Sequence, residues 1–346
     1  MNIPKSTLSS HLRRAGVLAA AVALLAGCGG GSSDVAGESS KSNAATTLNL
    51  VAYSVPKPGW DKIVPGFTAT PEGKDIAVAP SYGASGAQAT KVIDGVDADI
   101  VNLSLEPDIN KLVKANKVNK DWNADATKSI PFGSVVVIVV KKGNPKNIKT
   151  WDDLLQPGLQ IVTPSPLSSG SAKWNLLAPY AAKSNGGADA AAGLDYLGKL
   201  LTRDHIKSNP SSGQEATDQF LNGSGDVLLS YENEAINNER LGKPIEHVIP
   251  AQTFKIENPV AVVSTSTHQD QANALKNYLF TPDAQKLWAE AGFRPVDPSV
   301  AADFAKDFPT PEKLWTIADL GGWSVADPAL FDKSNGSIAK LYQTVS

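Results

Sequence analysis

Residues 75–103, DIAVAPSYGASGAQATKVIDGVDADIVNL, hold two apolar runs separated by a Gly/Ser cluster and a stretch of helical character. Asp75-Ile76-Ala77-Val78-Ala79 and Ala98-Asp99-Ile100-Val101-Asn102-Leu103 have the length and composition of strands. Between them, Gly86 to Asp94 reads as a helix carrying Ala87, Ala89, Val92 and Ile93. Strand, helix and strand in so short a span point to an α/β fold built on a mostly parallel sheet.

The same rhythm continues outward. Leu48 to Tyr53 reads as a strand, followed by the turn-rich Pro56-Lys57-Pro58-Gly59-Trp60. Val135 to Val140 is an unbroken β-branched run, the pattern of a strand buried on both faces, and Lys141 to Pro145 closes it. Leu159–Thr163, Asp226–Ser230 and Val260–Val263 extend the strand series. Helices are expected at Trp151–Leu155, Lys173–Lys183, Gly187–Leu201, Gln214–Asn222, Gln269–Leu279 and Thr281–Ala291. The segment 301–346 holds Trp315, Trp323 and Phe331 with weaker periodicity and is expected to wrap the fold as a helical terminus.

The first 27 residues read as a targeting segment. Lys5, Arg13 and Arg14 precede an uncharged run from Ala15 to Gly27. Its 13 residues fall short of the about 20 that span a bilayer in helix, and they suit the apolar region of a secretory signal. The run ends at Leu25-Ala26-Gly27-Cys28, which resembles a bacterial lipobox, so lipid attachment is expected at Cys28. Residues 28–46 have the composition of a flexible tether. Cys28 is the only cysteine, so no intramolecular disulfide is available and stability must come from burial. The expected location is the periplasm or the outer face of the cell membrane.

The chain has 32 Lys and Arg against 35 Asp and Glu, a formal charge of −3. Loss of the three basic residues of the leader takes the remainder to about −6. A globally acidic chain is a poor partner for nucleic acid. Any attraction for an anion must then be local, which screening beyond about 8–10 Å permits.

Two Gly/Ser clusters each stand directly ahead of an expected helix. They are Ser81-Tyr82-Gly83-Ala84-Ser85-Gly86-Ala87-Gln88-Ala89-Thr90 and Ser168-Ser169-Gly170-Ser171-Ala172-Lys173-Trp174-Asn175. A helix start leaves backbone N–H groups without internal partners, and small residues let an anion approach them. One such cluster alone is more economically read as an N-cap or turn. Two of them, both at strand ends of an exported α/β protein, favour a ligand site. Ser211-Ser212-Gly213-Gln214-Glu215-Ala216 is a third such segment, and Ser230-Tyr231-Glu232-Asn233-Glu234-Ala235 a fourth. Tyr231 reads equally as a core aromatic or as a hydroxyl donor at the cleft.

These segments are also where the chain resembles the periplasmic sulfate-binding protein family of the sulfate/thiosulfate ABC transporter. The resemblance runs through Lys142-Gly143-Asn144-Pro145-Lys146, Trp151-Asp152-Asp153-Leu154, Ser168-Ser169-Gly170, Glu232-Asn233-Glu234-Ala235, Arg294-Pro295 and Gly321-Gly322-Trp323. It implies a type II periplasmic-binding-protein fold: two α/β lobes joined by crossing strands and closing on sulfate. The lobes are expected at 47–133 plus 260–300 and at 134–259. By position, the resemblance implies Ser85 as a hydroxyl donor, and Ser169, Gly170, Ser171, Gln214 and Ser54 as backbone N–H donors. Tyr231 replaces the family's usual Trp, and Ser171 a common Gly. Ligand delivery to a membrane permease and its ATPase is also implied, with the receptor acting as a monomer.

Lys173 lies beside the second cluster, but at that place in a helix its side chain is expected to point away from the helix start. No carboxylate lies inside the two clusters, which suits an acceptor-only dianion, although Glu215 is close to the third segment. Thiosulfate, molybdate and phosphate remain alternative ligands of the same fold. A serine hydrolase is the rival from another class. Gly83-Ala84-Ser85-Gly86-Ala87 misses the G-x-S-x-G pattern at its last position, and Ser171 and Lys173 lie two apart rather than three. No His or Cys cluster suggests a metal or other cofactor.

Overall fold

A computed structural model describes residues 44–344. The expected leader and Cys28 lie outside the described residues, as does most of the tether.

Period-two alternation in the first strand, β1 (Thr46–Tyr53), serves two cores. Leu48, Leu50 and Ala52 pack with Trp60, Ile63, Phe67 and Trp288, while Val51 packs with Ala89, Val92 and Val101 on the other side. β2 (Ile76–Gly83) and β3 (Ile100–Asn102) flank β1 in parallel. Helices α1 (Lys57–Thr68) and α2 (Ser85–Ile93) follow β1 and β2, and α3 (Glu106–Lys114) follows β3.

The chain then crosses to a second sheet on β4 (Phe132–Lys141). Val136, Ile138 and Val140 face a core containing Trp174 and Phe254; Val135, Val137 and Val139 face another containing Ala216 and Phe220. Nine of its ten residues are buried. Its partners run antiparallel, so here the unbroken apolar run reports burial on both faces rather than strand direction. Parallel pairing occurs farther out, among β5 (Ile161–Val162), β6 (Ile206–Ser208) and β7 (Val227–Tyr231). The helices of this part are α4 (Gly170–Lys183), α5 (Ala190–Leu200), α6 (Gly213–Leu221) and α7 (Glu232–Arg240).

After β8 (Ile245–Val248), β9 (Gln252–Glu257) pairs with the start of β4 and returns the chain to the first sheet. There β10 (Val260–Val262) adds to β3 antiparallel, completing the order β10-β3-β1-β2. The two crossing strands, β4 and β9, therefore join two helix-flanked sheets. Helices α8 (Gln269–Tyr278) and α9 (Pro282–Glu290) cover the first sheet, Trp288 meeting Trp60 edge to face at 5.5 Å. Beyond β11 (Arg294–Pro295) and β12 (Lys313–Trp315), Trp323, Phe331, Ile338 and Tyr342 pack into the core around Trp174. The Trp174 and Trp323 rings meet edge to face at 4.8 Å.

Candidate functional site

Three helices begin at one place. Ser85 opens α2, Gly170 opens α4 and Gly213 opens α6. Their starts line a small cavity together with Tyr53, Ser54, Val55, Ser104, Ser169, Ser171 and Ser212. A cavity this small suits an ion of a few atoms rather than a drug-sized ligand. No charged side chain lines it.

The caps explain why these N–H groups are free for a ligand. The residues ahead of α2 and α4, Ala84 and Ser169, provide no side-chain cap. The first-turn donors of both helices therefore have no acceptor within their own helix. At α6, Ser212 Oγ accepts from the Glu215 N–H, which leaves the N–H groups of Gly213 and Gln214 as the unpaired pair of that turn. All three helix starts direct positive potential inward.

The structure brings most of the expected residues together, but it divides their roles differently. The Ser85 hydroxyl donates to Asp108 Oδ2 at 2.6 Å and accepts from the Ser104 N–H at 3.0 Å. Its proton is committed within the protein, leaving the Ser85 N–H as its contribution to the cavity. Ser169 donates its N–H to the Ser165 carbonyl at 2.8 Å, so its hydroxyl is the group it has left; that hydroxyl lies 2.8 Å from Ser171 Oγ. Ser54 also lines the cavity, yet its N–H donates to the Gly83 carbonyl at 3.0 Å as a continuation of the sheet. Gln214 is one residue beyond the lining pair Ser212 and Gly213, and its side chain turns to Asp218 at 3.0 Å. Tyr231 is fully buried behind the lining, with its hydroxyl 3.0 Å from Ser104 Oγ.

Two charged neighbours are turned away. Lys173 pairs with Asp327 at 2.5 Å and lies over the Phe331 ring. Glu215 accepts from the N–H and hydroxyl of Ser211 at 3.0 and 2.8 Å, while its own N–H donates to Ser212 Oγ at 3.2 Å. Asp108 stands behind Ser85, and Lys111 pairs with it at 2.7 Å. Ser85 has no histidine partner; the three described histidines contact Leu159, Glu239 and Asp99. Among the described residues, no group of three or more His, Cys, Asp or Glu is placed to hold a metal.

Comparison with known proteins assigns this architecture. The family model of bacterial extracellular solute-binding proteins matches residues 48–294. A sulfate-binding protein of Synechococcus elongatus is 37% identical, with 98% of each chain covered. The chain belongs to the sulfate-binding protein family of bacterial extracellular solute-binding proteins. A solved relative, the sulfate-binding protein SubI from Mycobacterium tuberculosis H37Rv, is 65% identical, with 83% of this chain and 100% of that chain covered at a TM-score of 0.81. A thiosulfate-binding protein of Pseudomonas aeruginosa is 33% identical over 81% of this chain and 88% of its own.

Within this family frame, two lining residues went unnoticed in the sequence. Tyr53 ends β1 inside the cavity wall, and its buried hydroxyl meets no hydrogen-bond partner among the described residues. Ser104 stands between Leu103 and Leu105, outside every Gly/Ser cluster, so only the end of β3 meeting α4 reveals it.

Proposed function

We propose that this chain is the sulfate receptor of an ABC importer, holding the dianion between its lobes through backbone N–H groups and hydroxyls. One observation carries the reading. Three helix starts with unpaired N–H groups converge on a small cavity lined by no charged side chain. Sulfate only accepts hydrogen bonds, so a site of donors alone satisfies it. A protonated oxyanion would also need an acceptor. The binding groups are Ser85, Gly170, Ser171 and Gln214 through N–H, Ser169 through its hydroxyl, and Ser54 at the cavity wall. The sulfate-binding relatives support sulfate as the ligand; thiosulfate, the ligand named for the Pseudomonas aeruginosa relative, is the second reading.

The receptor works without catalysis, closing residues 47–133 with 260–300 against residues 134–259 around the ion. The C-terminal wrap stays attached through Trp323 and Trp174. Closure presents the receptor to a permease and its ATPase. The lipobox-like Leu25–Cys28 tethers the monomer by a lipid at Cys28. A Cys28→Ser chain is then expected in the soluble fraction; retention of that variant in the membrane fraction would contradict the anchor.

Sulfate at 100 times its Kd should raise the unfolding free energy by about 2.7 kcal/mol. A thermal midpoint that millimolar sulfate leaves unmoved counts against the ligand.

A further inference from the structure

Ser104 is held by its backbone from both sides of the cleft. Its N–H donates to Ser85 Oγ at 3.0 Å, and its carbonyl accepts from Trp174 Nε1 and Asn258 Nδ2, both at 2.9 Å. Ser85 belongs to the helix after β2, Trp174 to α4, and Asn258 to the crossing from β9 to β10. These three bonds leave only the hydroxyl uncommitted. It meets the Tyr231 hydroxyl at 3.0 Å, while the residue itself lines the cavity.

Two hydroxyls in contact use one hydrogen between them, and the other proton needs a second acceptor. Tyr231 is fully buried and outside the lining, whereas Ser104 is within it. Burial pushes the Tyr231 phenol well above its ordinary pKa, so the phenol keeps its proton at neutral pH. The Asn258 side chain also bonds the phenol and lowers its pKa, as a donor to the phenol oxygen does. With that oxygen accepting from Asn258, the arrangement that leaves no stranded donor has the phenol donating to Ser104 Oγ and the serine proton turned into the cavity. Gly170 lies directly against that hydroxyl. A Cβ on Gly170 would lie 2.9 Å from Ser104 Oγ, so this hydroxyl sits beside the start of α4.

We propose that Ser104 donates a ligand-facing hydroxyl hydrogen bond of the site, with Tyr231 as the positioning residue behind it. The proposal rests on the oxyanion-receptor reading above. In a dry site the phenol polarises the serine hydroxyl, and the two act as one donor for a fully deprotonated oxyanion. This places the hydroxyl role on Ser104, whereas the Ser85 hydroxyl serves Asp108.

The test is calorimetric titration of sulfate, thiosulfate, molybdate and phosphate into the mature protein and three variants, Ser104→Ala, Tyr231→Phe and the double change. Unfolding midpoints of the ligand-free proteins are measured in parallel. Ser104→Ala should weaken sulfate binding about ten- to a hundredfold, the range for hydrogen bonds to charged groups. Tyr231→Phe should lose less, because the serine keeps its proton but not its orientation. The double variant should bind no worse than Ser104→Ala alone, a non-additivity that a purely structural role would not produce. Additive losses, or a folded Ser104→Ala with unchanged affinity, would overturn the assignment. Should Ser104→Ala not fold, Ser104→Cys keeps the volume with a weaker donor, and unchanged affinity there overturns it equally. A wild type that prefers another of the four anions, again weakened by Ser104→Ala, would keep the donor and remove sulfate as the ligand.

Discussion

Ser85 Oγ donates to the buried Asp108 carboxylate at 2.6 Å, tying the start of α2 to α3. The Ser85→Ala change removes the donor to Asp108 and the acceptor of the Ser104 N–H in one step. Leaving such buried groups unpaired costs about 1–3 kcal/mol. Denaturant unfolding should show a loss of that size. Ser85→Ala keeps the N–H assigned to the ligand, so it should weaken sulfate binding through the released Ser104 N–H and the loosened start of α2. The loss should still exceed that of Lys173→Ala, whose side chain is held by Asp327 outside the small cavity. The reverse order in titration would restore a cationic site.

Gly170 has no room for a side chain. A Cβ there would lie 2.8 Å from Ser104 Cβ and 3.0 Å from Leu105 Cγ. The Gly170→Ala chain should relieve the clash by shifting the start of α4, at an overpacking cost of about 1–3 kcal/mol. Sulfate affinity should fall with it, read by titration. Wild-type affinity in this variant would show that the first N–H of α4 is not a ligand contact.

Glu234 is buried on α7 and accepts from Ser230 Oγ at 2.6 Å and Thr217 Oγ1 at 3.2 Å. Burial is the main cause that raises its carboxyl from 4.5 to about 7, against the two hydroxyl bonds that lower it. The folded state therefore holds this proton more tightly than the unfolded chain does. The resulting stability is complete below about 4.5 and is lost as pH rises through 7. Glu234→Gln should gain on the wild type by about 2–3 kcal/mol between pH 5 and pH 8, measured by urea unfolding. A constant gap would contradict the buried proton.

Arg294 Nε and Nη2 donate to Glu232 at 2.6 and 2.7 Å, and the Glu232 side chain is fully buried. This pair ties the start of α7, one residue after Tyr231, to β11. Arg294→Met strands a buried carboxylate and should cost about 3–5 kcal/mol of unfolding free energy. The double change with Glu232→Gln should recover part of that loss. Equal losses in both would mean that Arg294 stabilises through packing alone.

Elements with a clear apolar stripe were legible within a few residues. The helix expected from Gly86 runs from Ser85 to Ile93, and that expected from Gln269 ends at Tyr278. Helix α1 was hidden by Pro58, Gly59, Pro65 and Gly66, which lower helix propensity. Burial of Trp60, Ile63 and Phe67 overrides that cost. Helix α7 was hidden for the opposite reason: Glu232, Asn233 and Glu234 are buried polar residues, so no apolar period marks it. The site was legible where local chemistry made it so, because helix starts that face an anion need small residues. Roles set by long-range contact were not. The partner of Ser85 lies 23 residues away, and that of Ser104 lies 127 away.

The most direct test is isothermal titration of the delipidated protein with sulfate, thiosulfate, molybdate and phosphate. The expected result is tight sulfate binding whose affinity is nearly flat from roughly pH 5 to 8, because backbone N–H groups and hydroxyls do not titrate there. A preference for phosphate, or no sulfate binding, would contradict a neutral-donor sulfate site.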